Sequence, residues 1–171
     1  MTERSTHEHT GSDCLFCNLP TEERKNLRVA SFYGRFDNFP VSPGHLEVVP
    51  QRHIVSITDL EPEEWAELGR GIKNAVDLIE NTDLRVIYQR IAKASFNDES
   101  RWFAKRALEH PRINTTPDAY THGVNDGKAA GRTVDHLHWH VIPRYEGDVD
   151  DPTGGVRYVI PEMGNYKGQR Q

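Results

Sequence analysis

The sequence predicts an α+β domain. Short apolar runs bounded by Gly and Pro lie towards both ends of the chain, and a long stretch with apolar residues every three or four positions separates them. Size agrees, because 171 residues fit one domain whose core needs no disulfides.

Residues 1–13 are polar and read as a flexible tail in which His7 and His9 are solvated, leaving 14–171 as the domain. Residues 27–33 and 35–39 read as short strands flanking Gly34, and 45–49 as a third, set between Pro43-Gly44 and Pro50. A helix starts near Pro62, which suits the first helical position, with an apolar stripe of Trp65, Leu68, Ile72, Val76 and Ile79. Residues 81–115 are helical in two pieces. Leu84, Ile87, Tyr88 and Ile91 mark the first; Asn97 caps the second, which Pro111 stops after His110. Residues 120–124 predict a strand, 125–127 a turn and 128–132 a loop of small residues. The stretch from Gly147 is rich in Gly, Asp and Pro, with 156–160 as a short edge strand.

Apolar residues are 36% and charged residues 27%, which suits a soluble globular chain. No apolar run approaches the roughly 20 residues that span a bilayer, and the polar start does not resemble a signal peptide. A cytoplasmic protein with no membrane partner is expected. The net charge of −5 argues against a nucleic-acid polymer as ligand. Residues 81–115 carry seven Lys/Arg and four Asp/Glu, so this segment is +3 and the rest of the chain −8.

Two features carry chemistry. Cys14 and Cys17, the only cysteines, are spaced C-x-x-C, a metal half-site or a redox pair in a reducing compartment. The run Val134-Asp135-His136-Leu137-His138-Trp139-His140-Val141-Ile142 places three histidines on one strand face, with Leu137, Trp139 and Val141 on the other. Imidazoles in that array suit a phosphate, a metal or a leaving group. An imidazole attacking phosphorus needs one nitrogen free and the other held as N–H. His138, in the middle, is best placed to attack, with a backbone carbonyl fixing its tautomer. His140 then donates to a phosphoryl oxygen, and His45 offers another donor if the strands pair. A zinc centre ligated by His136, His138 and His140 fits the same spacing.

His-Leu-His-Trp-His-Val-Ile resembles the His-φ-His-φ-His-φ-φ signature (φ apolar) of the histidine triad (HIT) family of nucleotide hydrolases and transferases. The likeness extends through Phe36-Asp37-Asn38-Phe39-Pro40-Val41-Ser42-Pro43-Gly44-His45 and Val48-Val49-Pro50-Gln51-Arg52-His53, which resemble the family's ribose-binding turn and next strand. Asn125-Asp126-Gly127 through Ala130-Gly131 resembles its phosphate loop, and Pro143-Arg144-Tyr145 the segment after the triad. The resemblance covers 14–80 and 116–161. It implies a HIT-like antiparallel sheet of about five strands with helices on one side, and a helical insertion at about 81–115. That insertion either extends an interface or forms a basic cap over the site.

The same resemblance implies a homodimeric nucleotide hydrolase acting on a nucleoside phosphoramidate, phosphoanhydride or dinucleoside polyphosphate. Cleavage at the α-phosphate would pass through a nucleotidyl-histidine and release a nucleoside monophosphate. Phosphorolysis or nucleotidyl transfer through the same intermediate is the alternative, and a binding module without turnover is another. His138 is then the residue that is nucleotidylated, and His140 and His45 line the α-phosphate. Asp37 binds the ribose hydroxyls, Asn125 the phosphate, and Thr133 reaches the leaving group. Leu15, Phe16 and Leu19 are an apolar wall under the base or ordinary core. Relatives pair such cysteines with two histidines matching His53 and His136, which implies a closed structural zinc site of Cys14, Cys17, His53 and His136 and no catalytic cofactor. Reduced free thiols are the alternative. Arg132 stands where the family commonly has glutamine, a charge that would favour a more anionic polyphosphate or another leaving group.

Overall fold

The computed structural model describes residues 13–94 and 97–165; the expected tail, apart from Asp13, lies outside them, as do His7 and His9. Five strands, β1 (Lys25–Asn26), β2 (Phe32–Phe36), β3 (Leu46–Pro50), β4 (Ala119–Gly123) and β5 (Trp139–Arg144), form one antiparallel sheet in the order β1-β2-β3-β5-β4. The helices are α1 (Pro62–Glu80), α2 (Leu84–Ala94), α3 (Asp98–Glu109) and the single turn α4 (Pro161–Gly164). No helix among the described residues is long and apolar enough to cross a membrane.

Strand alternation sorts the side chains into two layers. Phe32, Phe36, Leu46, Val48 and Val141 join Leu68, Ala75, Ile79, Leu84, Ile87, Tyr88, Ile91, Ala104 and Ala107 in one core, so α1, α2 and α3 all bury their apolar faces there. The residues between them, Tyr33, Arg35, Glu47 and Val49, turn to the opposite face, where Phe16 and Leu19 complete a smaller core with Tyr33 and Val49. Cross-strand register sets Arg35 beside Glu47, and Glu47 beside His140. The triad therefore stands on the face away from the core helices.

Four local expectations change. One strand runs through Gly34: a Cβ there would sit 3.0 Å from Leu27 Cδ2, so the glycine permits a close approach and does not end a strand. Trp65 is exposed; the inner face of α1 is Leu68, Gly71, Ala75 and Ile79, because small residues let the helix settle against Val48 and Phe32. Residues 155–159 form a 3-10 helix and no edge strand, since Gly154 and Gly155 take positive φ and Pro161 follows. In the histidine run only residues from Trp139 onwards pair in the sheet, yet Leu137, Trp139 and Val141 still pack into the helix-side core.

Residues 81–115 are bound into that core. Asn97 caps α3, its Oδ1 accepting from Ser100 N at 2.8 Å, and Tyr88 is fully buried. The Tyr88 hydroxyl accepts from Gly44 N at 2.8 Å, tying α2 to the turn that presents His45. Ser100 Oγ donates to the carbonyl of Asn38, and Phe103 meets Phe39 edge to face, so α3 borders the loop after Asp37.

Candidate active site and metal centre

Two clusters meet at the segment 136–138. In the first, Cys14 Sγ lies 3.3 Å from His136 Nδ1, and Cys17 Sγ lies 3.3 Å from His53 Nδ1 and 3.5 Å from His136 Nδ1. All four donor atoms fall within 4.8 Å of one another. Sulfur and nitrogen ligands around one tetrahedral ion stand about 3.5 Å apart, from bond lengths of about 2.3 and 2.0 Å. These residues can therefore hold a metal ion. His136 is fully buried and its Nε2 donates to the carbonyl of Pro50 at 3.0 Å, which leaves Nδ1 bare toward the thiols. Burial, with Cys14 beside it, pushes the Cys17 thiol up to about 11, so a bound cation would displace a proton there.

Local contacts hold these ligands in place. Arg24 Nη2 donates to the Cys17 carbonyl at 2.7 Å, and Tyr33 Oη donates to the Phe16 carbonyl at 2.8 Å, fastening the C-x-x-C segment to β2. Arg52 donates to Glu64 on α1 at 2.7 Å, steadying the turn that carries His53.

The second cluster is a relay of three residues. His45 Nδ1 stands 3.2 Å from Asp37 Oδ2, off the line of a full hydrogen bond, and His45 Nε2 lies 3.0 Å from His140 Nδ1. Asp37 Oδ1 accepts from Phe39 N at 2.8 Å, which fixes the carboxylate. His138 stands between the clusters. Its Nδ1 donates to the carbonyl of His136 at 2.8 Å, leaving Nε2 with a free lone pair. Phe16 packs edge-on against both His136 and His138. Burial lowers His45 and His138, the latter against the pull of the His136 carbonyl and Asp37, and takes His140 down to about 4. Neutral imidazoles on a dry, hydrogen-bonded face can act as nucleophile and proton carriers. The three alternate histidines do not share one centre: His136 joins the cysteines, while His140 joins Asp37 and His45. Among the described residues His136, His138 and His140 do not come together as one group of candidate ligands.

Leu15 is 52% exposed and lines a cavity of about 690 Å³, whereas Phe16 is buried beneath the histidines as core. Leu19 belongs to both the small core and the cavity wall. Asn125 and Thr133 are exposed on the loop between β4 and β5, and neither side chain bonds to a triad histidine among the described residues. Arg132 is turned to Asp135, at 3.0 Å, to the Val55 carbonyl and to Asp126, so its charge is balanced by two carboxylates. Sequence reading missed the buried pair Arg35 and Glu47, at 2.6 Å, beside the triad. Their i, i+2 spacing to Asp37 and His45 was the available signal.

A HIT domain model matches residues 27–147. A HIT-like protein of Mycobacterium tuberculosis is 31% identical over 138 residues, covering 79% of this chain and 74% of that one. The AP-4-A phosphorylase of the same organism is 30% identical over 134 residues, 77% of this chain but 52% of that protein. The crystal structure of a HIT family protein from Bacillus anthracis superposes with a TM-score of 0.53 at 23% identity, over 80% of this chain and 77% of the other. With its triad on one sheet face and these relatives, the chain belongs to the HIT-domain family.

Proposed function

We propose that the protein cleaves nucleoside phosphoramidates, phosphoanhydrides or dinucleoside polyphosphates at the α-phosphate through a nucleotide carried on His138. The observation that carries this reading is the 2.8 Å bond from His138 Nδ1 to the His136 carbonyl, which aims an unprotonated Nε2 off the sheet face. Nε2 attacks the α-phosphorus; the P–N bond forms as the bond to the leaving group breaks. Water then attacks the same phosphorus, releasing a nucleoside monophosphate and restoring His138.

Proton supply follows from the relay. With His45 Nδ1–H facing Asp37, neutral His45 accepts at Nε2 from His140 Nδ1–H, so His140 Nε2 is the open end. A proton taken up there beside a phosphoryl anion can pass to the departing group, and Asp37 stabilises the charge left along the relay. In the same reading Asp37 also receives the ribose hydroxyls, Asn125 the phosphate and Thr133 the leaving group, while Leu15 and Phe16 form the apolar side of the base site. The four-residue cluster fits zinc, which would supply a structural crosslink between the N-terminal segment and the sheet. A reducing, cytoplasmic location would keep those thiols available, and a homodimer is the expected assembly.

His138→Ala should abolish turnover and the covalent nucleotide adduct seen by mass spectrometry; undiminished turnover in that variant overturns the mechanism. Phosphorolysis is the second reading, favoured by the similarity to AP-4-A phosphorylase. Products from a dinucleoside polyphosphate with and without inorganic phosphate separate the two.

A further inference from the structure

The cavity of about 690 Å³ beside the metal cluster is walled by Leu15, Leu19, Phe39 and residues of α2 and α3, and one buried charge faces it: Arg35. Arg35 is 5% exposed. Its Nη1 is bound to Glu47 at 2.6 Å, and its guanidinium lies over the Phe16 ring at 5.5 Å. Its Nε is buried with no hydrogen-bond partner, although Glu23 Oε2 stands at ion-pair distance, 4.0 Å away. It lies on β2 two residues before Asp37, which directly follows the strand.

We infer that Arg35 determines base specificity and that the cavity selects guanine over adenine; this deepens the nucleotide-cleavage reading and rests on it. A buried N–H without an acceptor is costly, and a guanidinium offers donors only. Guanine sets two acceptors side by side, O6 and N7, and so can satisfy the fork. Adenine replaces O6 with an amino donor, which turns N–H toward N–H. Leu15, Leu19, Phe39 and Ile91 offer apolar surface to the base, and Glu22 and Glu23, which also line the cavity, can accept from the N1–H and amino group of guanine.

The test is calorimetric titration of the purified full-length protein with GMP and with AMP. GMP should bind about tenfold or more tightly than AMP. Equal affinities, or tighter AMP, overturn the inference while leaving nucleotide cleavage standing; binding of neither overturns both. Arg35→Met alone strands Glu47 as a buried charge, so the informative variant is Arg35→Met with Glu47→Met, which replaces the pair by apolar volume. It should bring the two affinities within about twofold while its circular dichroism stays that of the parent. A guanine preference that survives in the folded double variant also overturns the inference.

Discussion

Tyr88→Phe removes one oxygen from α2 and is expected to act at the active site. The Tyr88 hydroxyl is fully buried and is the acceptor for Gly44 N–H at 2.8 Å, immediately before His45. Deleting it leaves a buried donor unsatisfied, which costs about 1–3 kcal/mol. For a domain of this size each kcal/mol lowers Tm by about 2–4 °C, so a fall of roughly 2 to 12 °C is expected. The neighbouring hydroxyl of Tyr145 reaches the Pro43 carbonyl only at 3.4 Å, so Tyr145→Phe is the internal control. Its cost should stay under about 1 kcal/mol. Because the Gly44 turn sets the 3.0 Å contact of His45 with His140, Tyr88→Phe should also lower kcat/KM on the order of tenfold through misplacement of the relay. Calorimetric melting and steady-state turnover of both variants decide the matter. A Tm for Tyr88→Phe within about a degree of the parent would refute the view that α2 holds the His45 turn.

Gly44→Ala should be destabilising by about 2–5 kcal/mol in urea titrations, combining left-handed backbone with overpacking. Gly44 has φ +88, and a Cβ there would meet Ile79 Cγ2 at 2.8 Å, so a parent-like midpoint would contradict the packing described. Purified protein should carry one zinc per chain by atomic spectroscopy, and chelation should lower Tm and open Cys14 and Cys17 to thiol reagents together; a metal-free protein that melts like the parent opposes a structural ion. Acid should destabilise the fold in a defined window. His140 is held down to about 4, so between about pH 6.5 and 4 the unfolded chain binds the extra proton. Stability is then full above about pH 6.5 and lower by on the order of 2 kcal/mol at pH 5. His140→Asn should remove that share of the dependence of the urea midpoint, leaving what burial of His136, His45 and His138 contributes, and an unchanged slope would remove His140 as a source.

Much of this architecture is legible in the sequence, and the misses share causes. Amphipathic periodicity places α2 and α3, and Asn97 marks an N-cap, because those signals are local. Trp65 misleads because hydropathy ranks a tryptophan above glycine and alanine, whereas close approach of α1 to the sheet selects Gly71 and Ala75. The alternation of the histidines gives their face without giving their company: only the folded chain brings Cys14 and His53 to His136, and His45 to His140. Arg35 and Glu47 escape notice since a charged residue in a strand ordinarily reads as solvent-facing, and their burial depends on Phe16 and the segment that closes over β2.

His136 joins two functions by different atoms. Its ring faces the thiols, while its backbone carbonyl holds His138 in the tautomer suited to attack. Replacement of this side chain would remove a candidate ligand and also the Nε2 bond to the Pro50 carbonyl that anchors the peptide under His138, so kinetics of a His136 variant would mix the two effects. Experiments that dissect the metal's contribution belong at Cys17 or His53, which contact the first cluster and leave the peptide beneath the nucleophile intact.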